Sequence, residues 1–121
     1  DRTISINVYH LYTILAEKIE TVLSRNIANT RAKDFYDIYI LVKLNKVNID
    51  KDKFIEALKE KCVERNSVMY LESYERYVGL IQNSSELKEI WNNYQSKNEY
   101  ARDVSWSEII NSLEYLTGPI A

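Results

Sequence analysis

Lys18 occupies a position that calls for chemistry. Leu11, Ile14, Leu15, Ile19, Val22 and Leu23 recur at the i, i+3, i+4, i+7 spacing of one helix face. At ~100° per residue, Lys18 projects into the middle of that stripe. An ammonium buried there without a partner is costly. It must snorkel to water with its stem in the core or meet an anion, either a carboxylate or a phosphate, and the spacing leaves both open. A second group follows within NTRAKDFYDIY: Arg31, Lys33, Asp34 and Asp37. Asp34 and Asp37 near the start of a helix suit the positive end of its dipole. Arg31 and Lys33 do not. They are accounted for by an anionic partner, be it Asp34, Asp37 or a bound phosphate, or by solubility alone. The chemistry open to such cations beside carboxylates is the stabilisation of negative charge on a transferring phosphate.

The elements that must position these groups read as helices. The first covers residues 11–24. The second covers 31–44, with Thr30 as N-cap and Phe35, Ile38, Tyr39 and Val42 on its core face. Asn26 and Asn29 are turn formers, and so short a connection predicts an antiparallel hairpin. Asp50 caps a third helix over 51–65, with Phe54, Ile55, Leu58 and Cys62 inward; Asn66 and Ser67 break it. A fourth helix is expected over 71–81. Gly79 inside it costs about 1 kcal/mol against alanine, which points to close helix approach. Ser84 or Ser85 caps a fifth over 86–96. Ser105 with Glu108 forms a capping box for a sixth over 106–116, stopped by Gly118-Pro119. Residues 3–9 alternate weakly and are β-branched, so they read as a short strand or as irregular chain.

Composition bounds the rest. A chain of 121 residues is one domain able to bury a real core. Two glycines and one proline are few breakers for a strand meander, so the fold class is all-α, a bundle-like domain of five to six helices. A net charge of −2 excludes a broadly basic nucleic-acid binder. Any RNA contact needs a local patch such as Arg25, Arg31 and Lys33. The single cysteine, Cys62, excludes an internal disulfide and reads as a small buried residue. One histidine, His10, gives no histidine-based metal site. No apolar run reaches the ~18–20 residues that span a bilayer. Ten tyrosines are read as helix packing with a wet hydroxyl edge before base stacking. Trp91 and Trp106 are core anchors.

LAEKIETVLSR followed by NTRAKDFYDIYIL resembles the C-terminal motifs of the AbiEii/AbiGii toxin nucleotidyltransferases, of the polymerase-β-like superfamily. ELKEIWNNYQSK and EYARDVSWSEIINSLEYL extend the likeness over essentially the whole chain. The resemblance implies a toxin of abortive infection or a toxin–antitoxin system. Such an enzyme moves a nucleotidyl group from an NTP to an acceptor such as tRNA in the cytoplasm, with a cognate antitoxin. It implies catalytic roles for Lys18, Asp34 and Asp37, and nucleotide binding by Lys18, Arg31 and Lys33. The family's early Gly-Ser pair with metal-binding acids has no counterpart here, since neither Gly79 nor Gly118 is followed by Ser and paired acids. Residues 1–121 are therefore expected to be the C-terminal helical domain of a larger enzyme, inactive alone and holding no metal or cofactor itself, with Mg2+ and NTP belonging to the intact enzyme. The competing reading is a non-catalytic helical module in which Lys18 and the aspartates are structural ion pairs and a groove binds a protein partner.

Overall fold

The computed structural model describes residues 8–118. Seven α-helices and no strand occur among them: α1 Val8–Arg25, α2 Ala32–Asn45, α3 Lys51–Glu64, α4 Val68–Glu72, α5 Tyr74–Asn83, α6 Ser85–Lys97 and α7 Trp106–Thr117. Short 3-10 turns fill Asn26–Ala28, Lys46–Asn48 and Glu99–Ala101. Of the stretch read as a short strand, residues 3–7 lie outside the described residues, while Val8 and Tyr9 open α1.

Local chemistry sets most boundaries. Asp50 Oδ1 accepts the Asp52 and Lys53 amides at the start of α3. Ser84 Oγ accepts the Leu87 amide at 3.1 Å, and Ser105 and Glu108 close a reciprocal capping box on α7. At the end of α3, Asn66 takes the left-handed conformation at φ 56°. The Ser67 amide then reaches Cys62 O at 2.8 Å and the Asn66 amide reaches Val63 O at 3.2 Å, the paired bonds of a Schellman close.

Three expectations need correction. The expected fourth helix is two, α4 and α5, broken at Ser73 (φ −113°, ψ 31°), which raises the count from five or six to seven. Gly79 marks no close approach, because a Cβ built there meets nothing within 4 Å. Thr30 does not cap α2. The residue before the helix is Arg31, without a side-chain cap, and Asn29 Oδ1 takes the Arg31 amide instead at 3.0 Å.

α1 is the hub and packs most extensively on α3. Asp50 N–H donates to Tyr12 Oη, Lys61 pairs with Glu17, and Arg65 with Glu20. Partners advance together along both chains, so α3 runs parallel to α1. Against α2 the order reverses, with Tyr12 near Asn48 and Lys18 on Asp37, which is the antiparallel hairpin. The core runs from Leu15, Ile19 and Phe54 through Ile38 and Phe35 to Trp91 and Ile109. Trp91 is 1% exposed and donates its indole N–H to Val104 O at 2.9 Å. Trp106 sets its ring edge-on to Phe35 at 5.4 Å.

Leu11, Leu15, Ile19, Val22 and Leu23 of the expected α1 face are buried, and the buried face reaches further round the helix than expected. Tyr12, Ala16 and Glu20 are buried, while Ile14 and Lys18 are only half-buried. Glu20 is a buried carboxylate whose partner is Arg65, at 2.9 Å. Removing that partner strands a desolvated charge. Arg65 is itself 45% exposed, so solvent recovers part of the loss. We expect Arg65→Ala to destabilise the fold by about 1–3 kcal/mol, measured by urea unfolding, with partial recovery on adding Glu20→Gln.

Candidate functional site

The α1–α2 hairpin brings Lys18 to Asp37. Lys18 Nζ donates to Asp37 Oδ2 at 3.1 Å. Lys33, one turn before Asp37 on α2, donates to the same carboxylate at 3.1 Å (Oδ1) and 2.9 Å (Oδ2). Side-chain exposure is 27% for Lys18, 19% for Asp37 and 64% for Lys33. Lys18 thus sits at the margin of the apolar stripe, with its stem packed and its ammonium turned toward the carboxylate. Asp37 raises the pKa of the Lys33 ammonium, mainly through the hydrogen bond, and Tyr100 adds to that field.

Asp34 is placed apart from Lys18. It is buried, its nearest cation is Arg31 with Nε 4.0 Å away, and its Oδ2 has no hydrogen-bond partner among the described residues. Fully buried Asn29 also flanks Arg31; its Oδ1 is taken by the Arg31 amide, but its Nδ2 is unpaired among the described residues. With Arg31, Lys18 and Lys33 against Asp34 and Asp37, one positive charge is in excess. Arg25 ends α1 as an exposed cation.

A chain of rings borders the triad: Trp91 stacks on Tyr94 (5.4 Å, 24°), and Tyr36 meets Tyr100 edge-on (4.9 Å, 64°) and Tyr39 (6.3 Å). The Tyr94 and Tyr100 hydroxyls share a hydrogen bond at 2.6 Å. Tyr94 falls at helical spacing from Leu87, Ile90 and Trp91, whereas Tyr100 lies outside the α-helices. The signal for Tyr100 was its position off every stripe, in the turn between two helices.

The sequence pattern of the family described as "Nucleotidyl transferase AbiEii toxin, Type IV TA system" matches residues 1–119. The chain belongs to the AbiEii toxin family. No curated protein and no solved structure matches it. By its description, the family consists of nucleotidyl transferase toxins of a toxin–antitoxin system, so an antitoxin is the counterpart of this AbiEii chain. Among the described residues, no helix is long and apolar enough to cross a membrane.

Asp37 is not open to Mg2+ in this structure. Both oxygens of Asp37 already accept from ammonium groups, and no group of three His, Cys, Asp or Glu among the described residues could hold an ion. The clefts lie elsewhere, including one of about 530 Å3 past Ile27, Arg76 and Leu80 and one of about 410 Å3 between α5 and α7. One of about 470 Å3 runs between α1 and α3, past Ala16, Glu60 and Lys61. Another, of about 290 Å3, runs between α2 and α7, past Tyr39, Lys43 and Tyr115. The triad is an open surface site on α1 and α2.

The rings carry a pH signature. Burial raises the Tyr94 phenol, helped by its bond to Tyr100. Burial also raises Tyr36, with Tyr100, Tyr39 and Asp37 adding. A folded pKa above the unfolded one contributes stability that is full below about pH 10, the ordinary phenol value, and lost as pH rises through the folded value. Spectrophotometric titration should show a late-ionising class of phenols. Stability should fall above about pH 10, less steeply in Tyr94→Phe.

Proposed function

We propose that the Lys18–Asp37–Lys33 cluster faces the triphosphate of an NTP in nucleotidyl transfer. What carries this reading is one geometric fact: a half-buried ammonium held at 3.1 Å by a carboxylate that also holds a second lysine. Lys18 takes up charge developing on the phosphates. Asp37 orients Lys18 and keeps two like charges from separating. Lys33 and Arg31, both more than half exposed, are free to swing onto phosphate oxygens. Asp34, buried beside Arg31, positions that guanidinium.

The acids that hold metal for attack on the α-phosphate belong, in this reading, to another half of the intact enzyme, and this helical part alone does not turn over. The acceptor is the 3′ end of a tRNA, reached through local cations such as Arg25, Arg31 and Lys33 and not through a basic surface, since the net charge is −2. The setting is the cytoplasm and defence against phage, with a cognate antitoxin restraining the toxin.

One observation favours the other reading, a helical interaction module. Lys18 already has a carboxylate partner, and the clefts between α1 and α3 and between α2 and α7 are lined without it. Mutants of the intact enzyme decide. Lys18→Ala, Asp34→Ala and Asp37→Ala should each lower transfer from a labelled NTP to RNA by about 10²-fold or more, and abolish growth arrest, with circular dichroism and thermal unfolding close to wild type. A variant that keeps near-wild-type transfer removes the role given to that residue.

A further inference from the structure

Tyr100 is an exposed aromatic ring that the fold holds still. It is 57% exposed, yet its hydroxyl is fixed at 2.6 Å to Tyr94 and its ring rests edge-on against Tyr36 at 4.9 Å. The turn beneath it is fastened as well. Gln95 Nε2 donates to the carbonyls of Ala101, Arg102 and Val104 at 3.3, 3.1 and 2.6 Å. Ala101 is fully buried, and Tyr94 is braced from behind by Trp91.

The position of this ring matters as much as its rigidity. Tyr36 lies three residues after Lys33 and beside Asp37, so the ring cluster and the cations share one side of α2. A nucleotide has the matching shape, with phosphates at one end and a flat π-faced base at the other. A pre-fixed ring loses little side-chain freedom when a base stacks on it, and stacking accepts any base because each has a π-face.

We propose that Tyr100, backed by Tyr36 and Tyr94, is the stacking platform for the nucleobase of the nucleotide whose phosphates meet Lys18 and Lys33. The proposal rests on the phosphate-binding reading above and extends it to the base end of the substrate. A stacking platform without a base-edge hydrogen-bonding partner selects nucleotides over bare phosphates more than it selects among bases.

Equilibrium binding of ATP and of inorganic tripolyphosphate to the intact enzyme tests it. Tyr100→Ala should weaken ATP by about 5- to 150-fold and leave tripolyphosphate unchanged. Tyr100→Phe keeps the ring, loses the hydroxyl pair, and should fall between Tyr100→Ala and wild type. Tyr100→Trp should bind ATP at least as well as wild type. Absence of ATP binding by the wild-type enzyme overturns the proposal, as does an equal loss for ATP and tripolyphosphate in Tyr100→Ala, or no loss for either. Failure of the underlying phosphate assignment looks different: tripolyphosphate affinity would then be indifferent to Lys18→Ala and Lys33→Ala. If ATP affinity still depended on the Tyr100 ring, the platform would stand without that assignment.

Discussion

A single carboxylate shared by two ammonium groups governs this structure's chemistry. Two unit charges 4 Å apart interact by about 4 kcal/mol at the effective dielectric near a protein surface. Without Asp37, Lys18 and Lys33 would push apart. With it, they are held on one side of the α1–α2 hairpin. The two arms are unequal. Lys18 is 27% exposed and rooted in the packed face of α1, whereas Lys33 is 64% exposed and pairs along its own helix. An exposed i, i+4 pair contributes only a few tenths of a kcal/mol. Lys33 can therefore leave Asp37 for an arriving anion at little loss, while Lys18 stays as the fixed reference point.

That division follows from where α1 sits. One flank carries Lys18 to Asp37 on α2, and the other carries Glu20 to Arg65 at the end of α3. Both contacts fix the rotation of α1 about its axis, and so the direction of the Lys18 ammonium. The ring cluster reaches the same place by another route. α6 is pinned through the buried Trp91, and Gln95 fastens the turn that carries Tyr100. Tyr94 and Tyr100 thus come up against Tyr36 on an element anchored separately from the α1–α2 hairpin.

What could be read from sequence was local. Asp50, Ser84 and the Ser105–Glu108 box cap their helices because each cap acts within three residues. The all-α class followed from scarce breakers and helical spacing. The break at Ser73 was hidden, since neither glycine nor proline marks it, and buried Leu71 and Tyr74 flank the step. Gly79 misled because a glycine in a helix has causes other than close approach. At the site, spacing gave Lys18 and the two aspartates but not their pairing. Whether Lys18 meets Asp34 or Asp37 depends on the sliding register of α1 against α2, which no single helix encodes. The Tyr94–Tyr100 pair was hidden for the same reason, because it joins a helix to a turn whose path depends on Gln95.

The beginning of α2 shows where stability is given up. Buried polar groups in folded proteins nearly always find partners, and those that do not call for an explanation. Among the described residues two exceptions, Asn29 Nδ2 and Asp34 Oδ2, both belong to residues that touch Arg31, at the start of the helix that carries Asp37. Elsewhere the chain satisfies comparable groups, as with Glu20 on Arg65 and the Trp91 indole on Val104. Local inconsistency of this kind is expected where a structure has been shaped for binding and not only for folding.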